Sequence, residues 1–130
     1  MKMLLAIAFG GAVGSVGRYY IAEFAERWFA SFLGVGFPFG TLTVNVLGSF
    51  VFGALIESFA VSLAPSAELR ALIFIGVLGS FTTFSAFSSD MYFMLERGEI
   101  GRTLLYIFVS VGISLAAFYA GLRLLRVILA

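Results

Sequence analysis

The sequence predicts an all-α integral membrane protein with four transmembrane helices. Of its 130 residues, 62% are hydrophobic and 12% are charged, whereas about 25% are charged in an average soluble domain. Four stretches reach the roughly 20 mainly apolar residues that a bilayer span requires. The first stretch is longer than the apolar part of a secretory signal, which has about 7–15 residues, so we expect it to be a retained helix.

The predicted helices follow the four apolar stretches and are joined by short polar links. They cover approximately residues 3–32, 38–60, 69–95 and 101–125. Pro38 begins the second helix, because proline suits the first turn of a helix. We expect one transmembrane domain over residues 1–130. Because the links are short, consecutive helices are predicted to be antiparallel neighbours.

Charge and the missing residue types exclude several classes of function. The chain has neither cysteine nor histidine, so it lacks thiolate metal ligands and the commonest general base. We therefore expect that the protein is not an enzyme. A net charge of +1 argues against nucleic acid as a partner, since such binding uses clustered Lys and Arg.

Positive residues are balanced between the two ends of the predicted bundle. One end holds Lys2, Arg70, Arg123 and Arg126, and the other holds Arg27, Arg97, Arg102 and, if it counts as near a helix end, Arg18. Orientation follows the bias of Lys and Arg, so the tie leaves two alternatives. Either a small bias selects one orientation, or the chain inserts both ways and pairs antiparallel. We favour the second, because four short helices are too few to enclose a pathway.

Ionisable residues inside the spans separate possible mechanisms. Arg18 is the one charge well inside a span, and it either snorkels to the interface or lines an aqueous vestibule that attracts anions. Glu57 and Asp90 lie near span ends. Neither is placed at the midplane, where a proton-coupled exporter would be expected to keep a carboxylate as a relay.

Asn45 is the polar residue of interest in the second span. Helical spacing puts Thr41, Asn45 and either Gly48 or Ser49 on one face. One interpretation is that the amide joins helices by hydrogen bonding. The other is that its NH2 group donates to a passing anion, which a neutral donor binds without trapping.

The run Gly79–Phe87 in the third span combines glycine, hydroxyls and phenyl rings. Hydrocarbon offers no partner for hydroxyls or freed backbone groups, so the run must face protein, water or an ion. We predict a helix break near residues 79–83, because Gly79 is followed by Ser80 and two threonines. Broken helices at mid-membrane commonly mark ion sites.

Two phenylalanines follow the predicted break. Phe84 and Phe87 are three residues apart and flank Ser85. An aromatic ring has a positive edge, so ring edges, hydroxyls and an amide together can hold a small anion without a fixed positive charge. Such a lining favours an anion over a cation.

The fourth span carries a stripe of hydroxyl groups. Tyr106, Ser110 and Ser114 recur every four residues, which places them on one helical face. A single serine in a membrane helix usually bonds back to its own backbone. Three stacked hydroxyl residues instead predict a polar track for water or an ion.

Four blocks in these spans resemble the Fluc-type fluoride channels, also called the CrcB family, over essentially the whole chain. They are Gly10–Tyr19, Pro38–Phe50, Gly76–Phe87 and the stripe of Tyr106, Ser110 and Ser114. The resemblance implies a passive fluoride channel in the bacterial inner membrane. It also implies an antiparallel, dual-topology homodimer in lipid, with two pores at the subunit interface.

The resemblance also implies roles for individual residues. The pore would be lined by Thr41, Asn45, Thr83, Phe84, Ser85, Phe87, Tyr106, Ser110 and Ser114. Arg18 would help to form the aqueous entrance. A structural Na⁺ on the two-fold axis would be held by backbone carbonyls of Gly79 and Thr82 from both subunits. The chain departs from the family at Ser80, where glycine is common, and at Ala86, where threonine is common.

Two other functions share part of this pattern. A small dual-topology, proton-coupled multidrug exporter has a similar length, span count and charge balance, but it should carry a mid-membrane carboxylate. A non-transporting accessory subunit would explain the glycines and Asn45 as packing, yet it leaves residues 82–85 unexplained. We therefore expect a fluoride-selective channel that exports cytosolic fluoride down its electrochemical gradient.

Overall fold

A computed structural model of the protein describes residues 1–61 and 64–130, and its regular structure there is helical. Helix α1 is Lys2–Leu33, α2 is Phe39–Val61, α3 is the helical run at residues 67–81, α4 is Phe84–Glu96 and α5 is Ile100–Leu129. Helices α3 and α4 together form one span, so four helical spans are long and apolar enough to cross a membrane. This confirms the predicted all-helical membrane fold.

Helix α3 changes its winding along its length. Ala67–Arg70 is α-helical, Ala71–Leu78 is wound as a π-helix, and Gly79–Phe81 returns to the α form. The helix begins after Ser66, whose hydroxyl accepts a hydrogen bond from the Leu69 N–H at 3.2 Å. Wide π turns are rare and occur frequently at functional sites. This one ends about one α-helical turn before the break in the third span.

The third span is broken at Thr82 and Thr83, within the interval that the sequence predicts. Thr82 has φ −83° and ψ 155°, and Thr83 has φ −152° and ψ 124°. Both residues are therefore extended. The Thr83 hydroxyl accepts a hydrogen bond from the Ala86 N–H at 3.1 Å. Thr83 is thus the N-cap of α4, a position that threonine favours because its oxygen satisfies a free backbone N–H.

Glycines allow pairs of helices to touch through their backbones. Gly53 of α2 faces the carbonyl group of Phe118, and Gly121 of α5 faces the carbonyl group of Phe50. Gly10 and Gly76 bring α1 and α3 together in the same way. The most extensive interfaces therefore join α2 with α5 and α1 with α3. The short links predicted that consecutive helices would be antiparallel neighbours, and α1 does contact α2 and α4 does contact α5; the glycine faces add closer contacts between alternate spans.

Replacing Gly121 by alanine is expected to destabilise the protein more than replacing Gly112 in the same helix. A Cβ at Gly121 would overlap the Phe50 carbonyl oxygen, whereas a Cβ at Gly112 would meet nothing within 4 Å. Overpacking typically costs about 1–3 kcal/mol. Thermal unfolding of both variants in detergent measures the difference. Equal melting temperatures would contradict the backbone contact between α2 and α5.

An ion pair joins the ends of α2 and α5. The Arg126 guanidinium donates to both carboxylate oxygens of Glu57, at 2.9 and 3.0 Å. Glu57 is only 6% exposed, and a buried carboxylate needs a partner of this kind. The pair therefore explains why an acidic residue is tolerated at this position.

A second group of charges ties together two links at the other end of the bundle. Arg97 and Arg102 both contact the Glu99 carboxylate, at 2.9 and 3.4 Å respectively. Their guanidinium groups also donate to the carbonyls of Gly36 and Val35, at 3.1 and 3.4 Å. The hydrogen bond from Arg97 holds the pKa of Glu99 below its usual value. The link after α1 is thereby fixed to the link before α5.

Much of the outer surface is apolar. Phe9, Phe108 and Val127 are 66%, 73% and 76% exposed. Within the most apolar stretch of each span, only 11–22% of the residues are buried. Exposed apolar area of this extent marks a surface that contacts lipid or another protein. The fold therefore suits a multi-pass membrane protein.

Candidate pore-lining site

A cleft of about 480 Å³ opens beside the helix break, between α2, α4 and α5. We call it the main cleft. Most of the predicted pore residues line it: Asn45, Thr83, Phe84, Phe87, Ser110 and Ser114. These residues come from three helices and from the break itself. The fold thus brings together an amide, hydroxyl groups and two phenyl rings that are far apart in sequence.

Asn45 bridges α2 to the backbone of the break. Its Oδ1 accepts the Thr83 N–H at 2.7 Å, and its Nδ2 donates to the Thr83 carbonyl at 2.9 Å. The hydrogen bond between helices that the sequence suggested for this amide is therefore present. An amide nitrogen carries two donor hydrogens, so one remains for a group in the main cleft. The two interpretations of Asn45 are compatible.

Phe84 and Phe87 lie against each other but differ in burial. Their ring centroids are 5.5 Å apart, with ring planes tilted by 43°. Phe84 is 75% exposed and Phe87 is 6% exposed. Phe87 also packs against Tyr106, with ring centroids 5.1 Å apart. One ring is therefore fixed by its neighbours, while the other stands open at the side of the cleft.

Ser110 is the most informative hydroxyl in the main cleft. Its side chain is 6% exposed, and its oxygen has no hydrogen-bond partner within the described part of the chain. Leaving a buried donor and acceptor unpaired costs about 1–3 kcal/mol. Ser114, one turn further along α5, lines the same cleft. Because its oxygen is enclosed, the Ser110 hydroxyl would have to turn toward the cleft to meet a polar ligand there.

Tyr106 lies outside the main cleft, although it shares the predicted stripe with Ser110 and Ser114. Its side chain is fully buried, with its ring beside Phe37 at a centroid distance of 5.5 Å. Its hydroxyl donates to Asp90 Oδ2 at 3.1 Å. The sequence did not reveal this pair. The only hint of it in the sequence was that Asp90 and Tyr106 are isolated polar residues in neighbouring spans.

A smaller cleft of about 330 Å³ contains the predicted vestibule residue Arg18. We call it the Arg18 cleft. Thr41 lines this cleft and not the main one, and Thr83 lines both. Ala86 also faces the Arg18 cleft, so the threonine common in the family would not stand between Phe84 and Phe87. The break therefore lies between the Arg18 cleft, which contains a positively charged side chain, and the main cleft, which contains the two phenyl rings.

Ser85 is exposed and lies outside both clefts. Its hydroxyl is 3.3 Å from the hydroxyl of Thr83, which does line them. Ser85 therefore reaches the predicted pore lining only through Thr83.

The break changes the surroundings of the carbonyls predicted to hold Na⁺. In a continuous helix the Thr83 N–H would donate to the Gly79 carbonyl, but here it donates to Asn45. Thr82 is extended, so its own carbonyl leaves the helical direction. Unwound backbone carbonyls are the groups that coordinate Na⁺ in broken membrane helices. The Gly79 carbonyl in the last helical turn, which has lost its donor, and the carbonyl of extended Thr82 would therefore suit such a cation.

Ser80 points away from this region. Its hydroxyl oxygen lies 3.0 Å from the Gly11 carbonyl and 2.6 Å from the Gly76 carbonyl, which share its single hydrogen. The first contact joins α3 to α1. The serine found where the family commonly has glycine thus strengthens a helix contact and adds no hydroxyl beside the freed carbonyls.

The fold and the clefts are those of a small multi-pass membrane protein with a polar site at a helix break. The family model described as "CrcB-like protein, Camphor Resistance (CrcB)" matches residues 5–122. The chain belongs to the CrcB family.

Bacterial relatives support this assignment over nearly the full chain. A protein of Rhizobium johnstonii named fluoride-specific ion channel FluC is 49% identical over 97% of this chain and 98% of its own length. Proteins of the same name from Agrobacterium fabrum and Rhodospirillum centenum are 47% and 45% identical. These two matches cover 97% of this chain, and 98% and 97% of the respective relatives.

Proposed function

We propose that this protein is a fluoride-selective channel that lets cytosolic fluoride leave passively down its electrochemical gradient. The observation that carries the proposal is that an amide, hydroxyl groups and the rings of Phe84 and Phe87 converge on the main cleft. The names of the relatives identify fluoride as the ion that fits it. The family is one of ion channels, so the protein transports an ion and is not an enzyme.

Fluoride is small and strongly hydrated, so a pathway must replace its water shell. The main cleft offers the free hydrogen of the Asn45 amide, the hydroxyls of Ser110 and Ser114, and the ring edges of Phe84 and Phe87. Each of these groups is neutral. Conduction requires binding that is favourable but escapable, and neutral donors meet that requirement better than a fixed cation.

The active unit in this proposal is an antiparallel, dual-topology homodimer in the bacterial inner membrane. The balanced positive charges and the open side of the main cleft, where Phe84 is 75% exposed, support it. A second copy would cover this side and complete a pore. Tags at both termini, probed from each side of the membrane, should each be found on both sides. A single orientation would overturn the antiparallel dimer.

A structural Na⁺ belongs to the same proposal. Gly79 and Thr82 from two copies would supply four carbonyl oxygens around the two-fold axis. Each copy would contribute two of these four oxygens. The cation would hold the two breaks together, and the anion paths would pass beside it.

The multidrug exporter gains no support from Glu57 and Asp90, the two carboxylates that the sequence places near span ends. Glu57 is paired with Arg126, and Asp90 accepts the Tyr106 hydroxyl. Both carboxylates thus have partners within the fold. A proton relay would need a carboxylate that exchanges freely with a substrate path.

The proposal is tested with purified protein in liposomes loaded with fluoride or chloride. We expect rapid, electrogenic fluoride efflux and no chloride efflux above that of protein-free liposomes. A potassium ionophore lets K⁺ leave with the anion, so that no opposing membrane potential builds up. Efflux is then measured with ion-selective electrodes. Efflux that depends on a proton gradient, or no fluoride movement in well-folded protein, would overturn the channel proposal.

A further inference from the structure

The bridge between Asn45 and Thr83 links the main cleft to the break in the third span. We propose that Asn45 is a positioning residue that holds this span broken, so that one side chain both lines the anion cleft and frees the carbonyl predicted to bind a cation. The roles of the cleft and the cation rest on the proposed function. The cause of the break does not.

The helical hydrogen-bond ladder stops at the residue that Asn45 contacts. Thr82 N–H still donates to the Leu78 carbonyl at 3.0 Å, which is the normal spacing of an α-helix. The next donor, Thr83 N–H, would reach the Gly79 carbonyl if the helix continued. It donates instead to Asn45 Oδ1 at 2.7 Å. The side chain of α2 thus replaces the backbone partner in α3.

The bridge acts on both polar groups of Thr83. While Oδ1 accepts the N–H, Nδ2 donates to the carbonyl of the same residue at 2.9 Å. The N–H and the carbonyl of Thr83 belong to the two peptide units on either side of its Cα. One hydrogen bond to each of these units restrains both φ and ψ of Thr83. Thr83 stays extended at φ −152° and ψ 124°, and its hydroxyl then caps α4. The position of Phe84 and Phe87 therefore follows from this one contact.

A glycine allows Asn45 to reach the break. Gly48 lies one turn after Asn45 on α2, and a Cβ there would overlap the Thr82 side chain and come within 3.1 Å of the Phe81 ring. Because glycine has no Cβ, α2 approaches the last turn of α3 closely. The pair of Asn45 and Gly48 explains why the break forms here and why the amide is within hydrogen-bonding distance.

Substitution by leucine and by aspartate separates the positioning role from the anion-binding role. Leucine has a similar shape but accepts no hydrogen bond, so Thr83 N–H should return to the Gly79 carbonyl. Aspartate keeps an oxygen that accepts Thr83 N–H, the bond that ends the helical ladder, but it loses the donor to the Thr83 carbonyl and adds a negative charge. If Asn45 served solely as an anion donor, both variants would leave the break unchanged.

The first readout is the Cα chemical shift of Thr83 in threonine-labelled protein, which reports extended or helical backbone without any transport. We expect the shift of extended threonine in the wild type and in Asn45→Asp, and a change to the helical value in Asn45→Leu. Ser58→Ala is the matched control on α2, because the Ser58 hydroxyl bonds only to Ala54 of its own helix in the described structure. An extended Thr83 in Asn45→Leu, or a helical one in Asn45→Asp, would overturn the proposal.

The second readout is the melting temperature of the full-length protein in Na⁺ compared with N-methylglucamine. We expect Na⁺ to raise it in the wild type, in Asn45→Asp and in Ser58→Ala, and this rise to be lost in Asn45→Leu. A rise that persists in Asn45→Leu would overturn the link to the cation. If the wild type conducts no fluoride but its Thr83 is extended, the channel proposal fails and the positioning role stands.

Discussion

Replacing Asn45 by aspartate is expected to reduce fluoride flux about a thousandfold. The change puts a negative charge in the main cleft in place of a neutral donor. Two like charges about 4 Å apart repel by about 4 kcal/mol at an effective dielectric constant near 20. That energy corresponds to roughly a factor of a thousand, since 1.4 kcal/mol is tenfold. Fluoride efflux from liposomes, at matched protein density, measures the loss.

The same variant should remain folded and assembled. Aspartate has the shape of asparagine and keeps the acceptor for Thr83 N–H, so its elution volume should match that of the wild type and its Thr83 Cα shift should stay in the range of extended threonine. The matched control for flux is Ser58→Ala, at a position outside both clefts. Fluoride flux that is unchanged in Asn45→Asp would remove Asn45 from the pathway, whatever its effect on the break.

The sequence predicted the four spans and the break because the hydrocarbon of the bilayer accepts apolar residues and excludes unpaired polar groups. Apolar stretches of sufficient length have few alternatives to spanning a bilayer. Glycine and hydroxyl residues at residues 79–83 have no stable place against hydrocarbon, so they indicated irregular backbone. The structure places the break at Thr82 and Thr83. The π-helical winding of Ala71–Leu78 had no such signal, because these residues are uniformly apolar.

What could not be predicted depends on how helices are placed around one another. Helical spacing put Tyr106 on the same face as Ser110, but it could not show that Phe37 and Asp90 would enclose Tyr106. Thr41 and Asn45 share a face of α2, yet they line two different clefts, and Thr83 of the break lines both. Periodicity thus identifies a face of one helix, while the partner of that face is set by tertiary packing.

Glycine positions show the same limit. Gly53 and Gly121 pack against backbone carbonyls of the neighbouring helix. The partner helix was not predicted, because a small residue permits close approach without selecting what approaches. The unpaired state of Ser110 was also invisible in sequence. It depends on burial and on the orientation of the side chain, and both are properties of the folded chain.

Replacing Phe84 or Phe87 by isoleucine is expected to lower fluoride flux about tenfold, the effect of one lost contact worth about 1.4 kcal/mol. Isoleucine fills space but has no positive ring edge. Phe108→Ile is the matched control, because Phe108 is 73% exposed and Phe84 is 75% exposed. Phe108 lies outside the main cleft, so its replacement should leave fluoride efflux from liposomes unchanged.

The two variants should differ in stability, and this difference tests whether the ring edges act directly. Phe87 packs against Phe84 and Tyr106, and aromatic pairs contribute about 0.5–1.5 kcal/mol each. Phe87→Ile should therefore melt at a lower temperature, whereas Phe84→Ile loses one pair on an exposed ring and should melt closer to the wild type. Reduced flux in Phe84→Ile at nearly unchanged stability would attribute the loss to the ring edge. Full flux in both variants would refute that account, because the hydroxyls and Asn45 would then suffice to replace the water shell of fluoride.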